Sequence, residues 1–340
     1  MQSLRLPADG FAHCHSPRVA LSGPRRVTLS ELRVGFEAGS LNKQDFVAAA
    51  FQFHRHLIDY PAYLVGTNIA SIEIVEAGVA VRFHSPAIRM WCKPGEARHT
   101  ALTCLDFRDY ESQELAAMMR LADVCLDGCK TFLDIGANVG FYSMAMALAR
   151  PAAAIHAFEP VPATFVELQR NLALNALDSV HAHNVGLSDI PGELTFYFDP
   201  SVSGATSSAP LGAGFTTSQV KCPVDTLDAF AASAGLSPDL IKCDVEGAEL
   251  KVFLGARATL SRCRPLVFSE MLRKWSARFL YHPNDLIDFF HQLGYACYSI
   301  DGAKLARLDT MTDDTRETNF FFLHRETHLP KARAAGLIVD

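Results

Sequence analysis

The sequence has no apolar run of the roughly 18 residues that a membrane helix needs, so no membrane span is expected. Its first residues, with Asp9, His13 and Pro17, lack the apolar core of a secretory leader. A disulfide framework is also missing. The nine cysteines are odd in number and scattered over 340 residues, which reads as the reduced thiols of a cytoplasmic protein. Cys125 and Cys129 have no second pair at zinc spacing, and His13-Cys14-His15 and His54/His56 lack a full ligand set, so packing or surface roles are expected for all of them. There is no basic excess: the net charge of −6 argues against nucleic acid or an anionic membrane as partner. No internal repeat or long charge run is visible. What remains, at 49% hydrophobic and 20% charged residues, is the composition of a soluble globular protein, long enough for one large α/β domain and an N-terminal extension.

The most informative stretch that is present runs Thr131-Phe-Leu-Asp-Ile-Gly-Ala-Asn-Val-Gly-Phe-Tyr142. An apolar strand carrying an acid ends in a glycine turn that opens a helix. Gly136 can take the positive φ of that turn, and Gly140 lets the helix pack close to the strand. Asn138 stands where a dinucleotide fingerprint has its second glycine, the one that admits a pyrophosphate. A ligand without pyrophosphate is therefore expected. S-adenosylmethionine suits the site, with Asp134 facing its positive groups.

From Thr131 onward, strand-like and helix-like runs alternate, the pattern of a mostly parallel, doubly wound sheet. Strands are expected at 131–136, 155–159, 180–187, 240–245, 265–270, 295–300 and 319–324, with a helix over 162–176. Between the third and fourth lies an insertion: strands at 193–198 and 219–224 around a Ser/Gly/Ala-rich loop, 201–214, which a lid over the acceptor would explain. Earlier, residues 27–60 read as helical and Ile72 to Phe83 as a hairpin. The implied division is an N-terminal extension over 1–125, a catalytic domain over 126–325 and a tail over 326–340.

Five stretches, in order, resemble the FkbM-type S-adenosylmethionine-dependent methyltransferases: Phe132 to Gly140, Ala157-Phe-Glu-Pro160, Asn184-Val-Gly-Leu-Ser-Asp189, Val224-Asp-Thr-Leu-Asp228 and Ile241-Lys-Cys-Asp-Val-Glu-Gly-Ala-Glu249. The resemblance covers roughly residues 130–325. It implies a Rossmann-like α/β methyltransferase sheet of seven strands, the last antiparallel, and O-methylation of a hydroxyl on a sugar, glycan or natural product.

The residues themselves agree. Glu159 follows Gly136 by 23 residues and ends the second strand, where a carboxylate can accept from both ribose hydroxyls. Gly186, Ser188 and Asp189 end the third strand beside the adenine's expected place. Asp244, Glu246 and Glu249 crowd the end of the fourth strand, and Glu270 closes the fifth at the same edge. Glu249 suits the first turn of the next helix. Asp244 is a candidate to face the sulfonium. A base for the acceptor hydroxyl is sought in Glu246, then Glu270, then His282. A divalent cation held by Asp244, Glu246 and Glu270 would serve the same end. Two other classes stay open: a nicotinamide-dependent oxidoreductase, which lacks an evident Tyr/Lys or His pair, and a methyltransferase-like protein that binds a glycan or partner without turnover. Base methylation is disfavoured, since the acidic fourth-strand motif is not the Pro/aromatic platform that holds a flipped base.

Overall fold

A computed structural model describes residues 27–96, 98–199, 202–211 and 216–339. The His13-Cys14-His15 motif lies outside them. The chain divides into two compact units, residues 1–66 and 67–340, so the boundary falls inside the segment read as the 1–125 extension. In the first unit, α1 (Leu29–Glu37) starts on a Thr28/Glu31 capping box, and α2 (Lys43–Tyr63) starts on Asn42. Phe36 and Phe46 stack between these helices at 4.9 Å. His54 and His56 are exposed on α2, and among the described residues neither belongs to a group of potential metal ligands.

The second unit opens with an antiparallel sheet, β1 (Ile69–Val75), β2 (Gly78–Phe83) and β3 (Arg89–Cys92). Two asparagines use the edge groups of β3 that would otherwise be free. Asn175 accepts from the Arg89 amide at 2.8 Å and donates to its carbonyl at 2.7 Å, while Asn171 accepts from the Trp91 amide at 2.9 Å. Both asparagines belong to or cap the helix Pro162–Leu174, so this sheet packs as part of the larger body. The chain then runs through α3 (Thr100–Phe107) and α4 (Ser112–Cys125) before the main sheet begins.

Along the chain follow β4 (Thr131–Ile135), α5 (Phe141–Ala149), β5 (Ala154–Phe158), α6 (Pro162–Leu174), β6 (Val180–His183), β7 (Gly186–Leu187), β8 (Gly192–Asp199), β9 (Val202–Ser207) and β10 (Ser218–Asp225). After them come α7 (Leu227–Ala234), β11 (Leu240–Cys243), α8 (Glu249–Leu254), α9 (Arg257–Cys263), β12 (Leu266–Glu270), α10 (Arg273–Ser276), α11 (Pro283–Gln292), β13 (Tyr295–Asp301), β14 (Lys304–Arg307), β15 (Asn319–His324) and α12 (Leu329–Ala334). The main sheet has the order β14-β13-β15-β12-β11-β4-β5-β6. Strands β6, β5, β4, β11 and β12 run parallel, and the reversed β15 sits between β12 and β13. This is the expected doubly wound Rossmann-like sheet, with β14 as an eighth strand paired to β13.

The strand expected over 180–187 is divided. Asn184 turns inward to donate to the carbonyls of Glu159 and Pro160 at 2.9 Å each, and β7 leaves the main sheet to pair with β10. Strands β7, β10, β8 and β9 form a separate four-stranded sheet, so much of the loop read over 201–214 is strand. The apolar residues of β4, β11, β12 and β15 interlock with α8 and α11, as where Phe290 stacks on Phe322 at 4.0 Å. Cys125 and Cys129 are buried free thiols, raised by that burial to about 11 and about 12. Among the described residues no helix is long and apolar enough to cross a membrane.

Candidate functional site

The carboxyl ends of β4, β5, β11 and β12 meet at one cleft of about 160 Å³, on the edge where open α/β sheets place their ligands. Gly136 makes its floor. It takes φ +75°, and a Cβ there would stand 1.8 Å from the Asp244 carbonyl oxygen, so only glycine lets the two loops touch. Gly140 does not line the cleft; a Cβ on it would meet Leu168 at 2.4 Å, and its role is to bring α5 against α6.

Glu159 is buried at the end of β5. Its Oε2 accepts from the Asn138 amide at 3.1 Å and its Oε1 from the Val161 amide at 2.9 Å. Burial raises the carboxyl to about 7, against the pull of those two amides. Two bonds leave capacity for two more at a carboxylate, which suits a pair of ribose hydroxyls. Asn138 lines the same wall at φ +50°, with a buried Oδ1 that has no partner among the described residues.

A deeper, narrower recess of about 30 Å³ continues between Phe158, Gly186, Ser188, Phe196 and Val245. Its flat apolar walls suit a purine ring. Asp189 is not part of those walls; it accepts from the Ser188 hydroxyl at 3.0 Å.

Asp134 has a different place from the one expected. It is 1% exposed and does not line the cleft. Its Oδ2 accepts from the Ser143 hydroxyl at 2.6 Å, and its Oδ1 lies 3.6 Å from Lys242 Nζ. Lys242 also donates to the Gly136 carbonyl at 3.0 Å and faces Asp244 at 3.4 Å. Burial alone would lower the Lys242 ammonium, but Asp244 and Asp134 outweigh it and hold it above its ordinary value. Lys242 is thus the internal counter-ion of two site acids and clamps the glycine turn.

At the ends of β11 and β12, across β4 from Glu159, stand Asp244, Glu246 and Glu270, each offering an oxygen within 4.8 Å of the others. Burial first, then the charge of Asp244, raises both Glu246 and Glu270 well above the usual carboxylate range. Their separation fits either a shared proton or one divalent cation with oxygen ligands. Glu249 stays apart as a loop organiser. Its Oε1 accepts from the Val245 and Gly247 amides at 3.0 and 3.1 Å, and its Oε2 from the Tyr281 hydroxyl at 3.2 Å. This fixes the tight bend where Glu246 takes φ +54° and Gly247 φ +100°.

His282 does not join the acids. It is exposed at the N-terminus of α11, where its Nδ1 accepts from the Asn284 amide at 3.1 Å and Asp285 completes a capping box. The ring nitrogen that a base would need is bound to the helix, so His282 moves from base candidate to helix cap.

One contributing segment went unseen in the sequence. Tyr110 and Glu111, ahead of α4, line the cleft, and the only signal for them was an acid shortly before a helix. Gly204 and Thr206 of β9 also line it, and Ser207 donates to the Glu246 carbonyl at 3.0 Å. The inserted sheet therefore forms a wall of the cleft.

Residues 134–297 match the family model described as the methyltransferase FkbM domain. The match covers a little under half of the chain. The chain is 35% identical over 152 residues to "Methyltransferase sdnD" of Sordaria araneosa, covering 36% of this chain and 59% of that protein. It is 32% identical over 155 residues to "2-O-methyltransferase NoeI" of Sinorhizobium fredii, covering 41% and 61%. To "31-O-demethyl-FK506 methyltransferase FkbM" of Streptomyces tacrolimicus it is 28% identical over 163 residues, covering 39% and 62%. The chain thus spans about three fifths of the length of these relatives. A solved methyltransferase FkbM from Methylobacillus flagellatus KT aligns over 68% of this chain and 55% of that one at 16% identity, with a TM-score of 0.38. The matched stretch begins at Asp134, so the cleft residues Tyr110 and Glu111 lie outside it.

The site fits S-adenosylmethionine: a carboxylate for the ribose, a flat recess for the purine, and a glycine turn bounded by acids for the cationic end.

Proposed function

We propose that this protein is an S-adenosylmethionine-dependent O-methyltransferase whose acceptor is a hydroxyl on a sugar, glycan or natural product. One observation carries the reading. A single cleft joins the ribose-type acid Glu159 to the crowded acids Asp244, Glu246 and Glu270, so donor binding and proton removal have adjacent places. Two relatives are named as O-methylating enzymes, and their names point to a hydroxyl as acceptor.

When bound, S-adenosylmethionine supplies a methyl group activated by its positive sulfur. The protein's part is alignment and proton handling. Glu159 and the turn from Gly136 to Gly140 fix the nucleoside, the inserted β9 walls the acceptor side, and Glu246 or Glu270 takes the hydroxyl proton. A carboxyl raised by burial and like charge is a stronger base than an ordinary one, and this is the property the step needs. The mutual reach of Asp244, Glu246 and Glu270 also supports a version in which a divalent cation lowers the hydroxyl pKa. Free thiols at all eight described cysteines fit a cytoplasmic enzyme, and the acidic net charge fits a small acceptor better than nucleic acid.

Calorimetry with S-adenosylhomocysteine and NAD, followed by transfer assays on a panel of glycans and hydroxylated natural products, tests the reading. Binding of NAD alone would replace it with an oxidoreductase. Binding of S-adenosylhomocysteine without transfer to any member of the panel would favour a binding protein. Loss of transfer on chelation, restored by magnesium, would select the metal version.

A further inference from the structure

The acids around the cleft differ in what already occupies them. Asp134 is held by Ser143 and Lys242, Asp244 faces Lys242, and Glu159 and Glu249 each accept from two backbone amides. Glu111 is not held in this way, and Lys242 acts on it only from beyond ion-pair distance. It sits at the N-cap of α4 in the left-handed region at φ +46°, lines the cleft, and forms no ion pair with any described Lys, Arg or His. Tyr110 and Tyr142 flank its carboxyl, and burial and the charge of Asp244 raise it above its ordinary value. A cleft acid beside another acid, with no ion pair to a described side chain, is a place where a ligand's cation is stabilised.

We infer that Glu111 receives the α-ammonium at the amino-acid end of the methyl donor. The inference rests on the function proposed above and adds a residue from outside the matched stretch to it. Placement supports the assignment. Glu111 lines the cleft together with Gly136 and Asn138 of the glycine turn, and Tyr142, beside its carboxyl, lies in the first turn of α5 directly after that turn. Glu111 therefore belongs to the side of the cleft formed by β4. Glu246 sits on the tight bend that Glu249 organises and that Ser207 of the inserted sheet contacts, on the side where the acceptor hydroxyl is placed. With Asp134 neutralised internally by Lys242, and Glu246 and Glu270 assigned to the acceptor hydroxyl, Glu111 is the carboxylate left to meet the donor's ammonium.

The test is a comparison of two ligands by calorimetry. S-adenosylhomocysteine carries the ammonium; 5′-methylthioadenosine keeps the nucleoside and thioether but has no amino-acid end. Glu111→Gln should weaken S-adenosylhomocysteine by about tenfold to a hundredfold, the range of one charge-assisted bond. It should leave 5′-methylthioadenosine within about threefold of the unmodified protein. Equal loss for both ligands would show a merely structural role, and no loss for either would overturn the inference while leaving the proposed function standing. If the unmodified protein binds neither ligand, the proposed function falls and the inference with it. Should Glu111→Gln fail to fold, Glu111→Asp keeps the charge but withdraws it by one methylene. It must still lose S-adenosylhomocysteine affinity relative to 5′-methylthioadenosine, or the inference is wrong.

Discussion

Two walls of one cleft carry glutamates under opposite regimes. Glu159 is anchored, with a backbone amide on each oxygen, and burial raises it only to about 7. Glu246 and Glu270 face like charge and are raised well beyond the ordinary range. The first arrangement holds an acid still so that it can orient a ligand. The second leaves acids short of donors, so that a proton or a cation must be shared among them. The same residue type is thereby suited to binding on one wall and to proton transfer on the other, and backbone amides make the difference.

The sharpest way to break this contrast is to remove the charge from the crowded wall. Glu246→Gln or Glu270→Gln, whichever is the base, should cut turnover on an identified acceptor by about 10²–10⁴-fold, with donor affinity nearly unchanged. Retained turnover in both variants would mean that alignment alone suffices. On the anchored wall, Glu159→Ala should weaken donor binding by about 1.5–3 kcal/mol, and unchanged affinity in calorimetry would displace the ribose from that place.

The protonation of Glu159 gives a gentler test. Ribose hydroxyls donate to the ionised carboxylate, so donor affinity should climb as the pH rises through about 7 and level off above it. The sign for stability is opposite. Without donor, the folded protein holds this proton more tightly than the unfolded chain, whose ordinary value is 4.5, so the contribution is present at low pH and lost as pH rises from there through about 7. Melting curves with and without S-adenosylhomocysteine across that window would show the two trends, and parallel curves would contradict the assignment. The smallest effect is expected at His282, which lies on neither wall. His282→Ala should cost about 1 kcal/mol of stability through the lost cap and leave turnover intact. A large fall in turnover would return this histidine to the chemistry.

The main strands were legible because each is a short apolar run between turn residues, and Gly136 and Glu159 were legible because a strand-to-helix turn restricts what can stand there. Val224 to Asp228 also stood out, yet its work is local: Thr226 caps α7 and Asp228 accepts from the Ala258 and Thr259 amides to seat α9. The break in the strand read over 180–187 was hidden because Asn184 bonds across to the Glu159 loop, a contact 25 residues away in the chain.

By itself the sequence determined the alternation that builds the sheet, the order of its motifs and the acids that end its strands, since these depend on local periodicity and turn geometry. Only the tertiary structure decided which acids are available. Lys242 neutralises Asp134, amides occupy Glu159 and Glu249, a helix end claims His282, and α4 brings in Glu111 from ahead of the first sheet motif. Charge, burial and hydrogen bonding at one point are sums over distant segments, and spacing along a chain does not encode such sums.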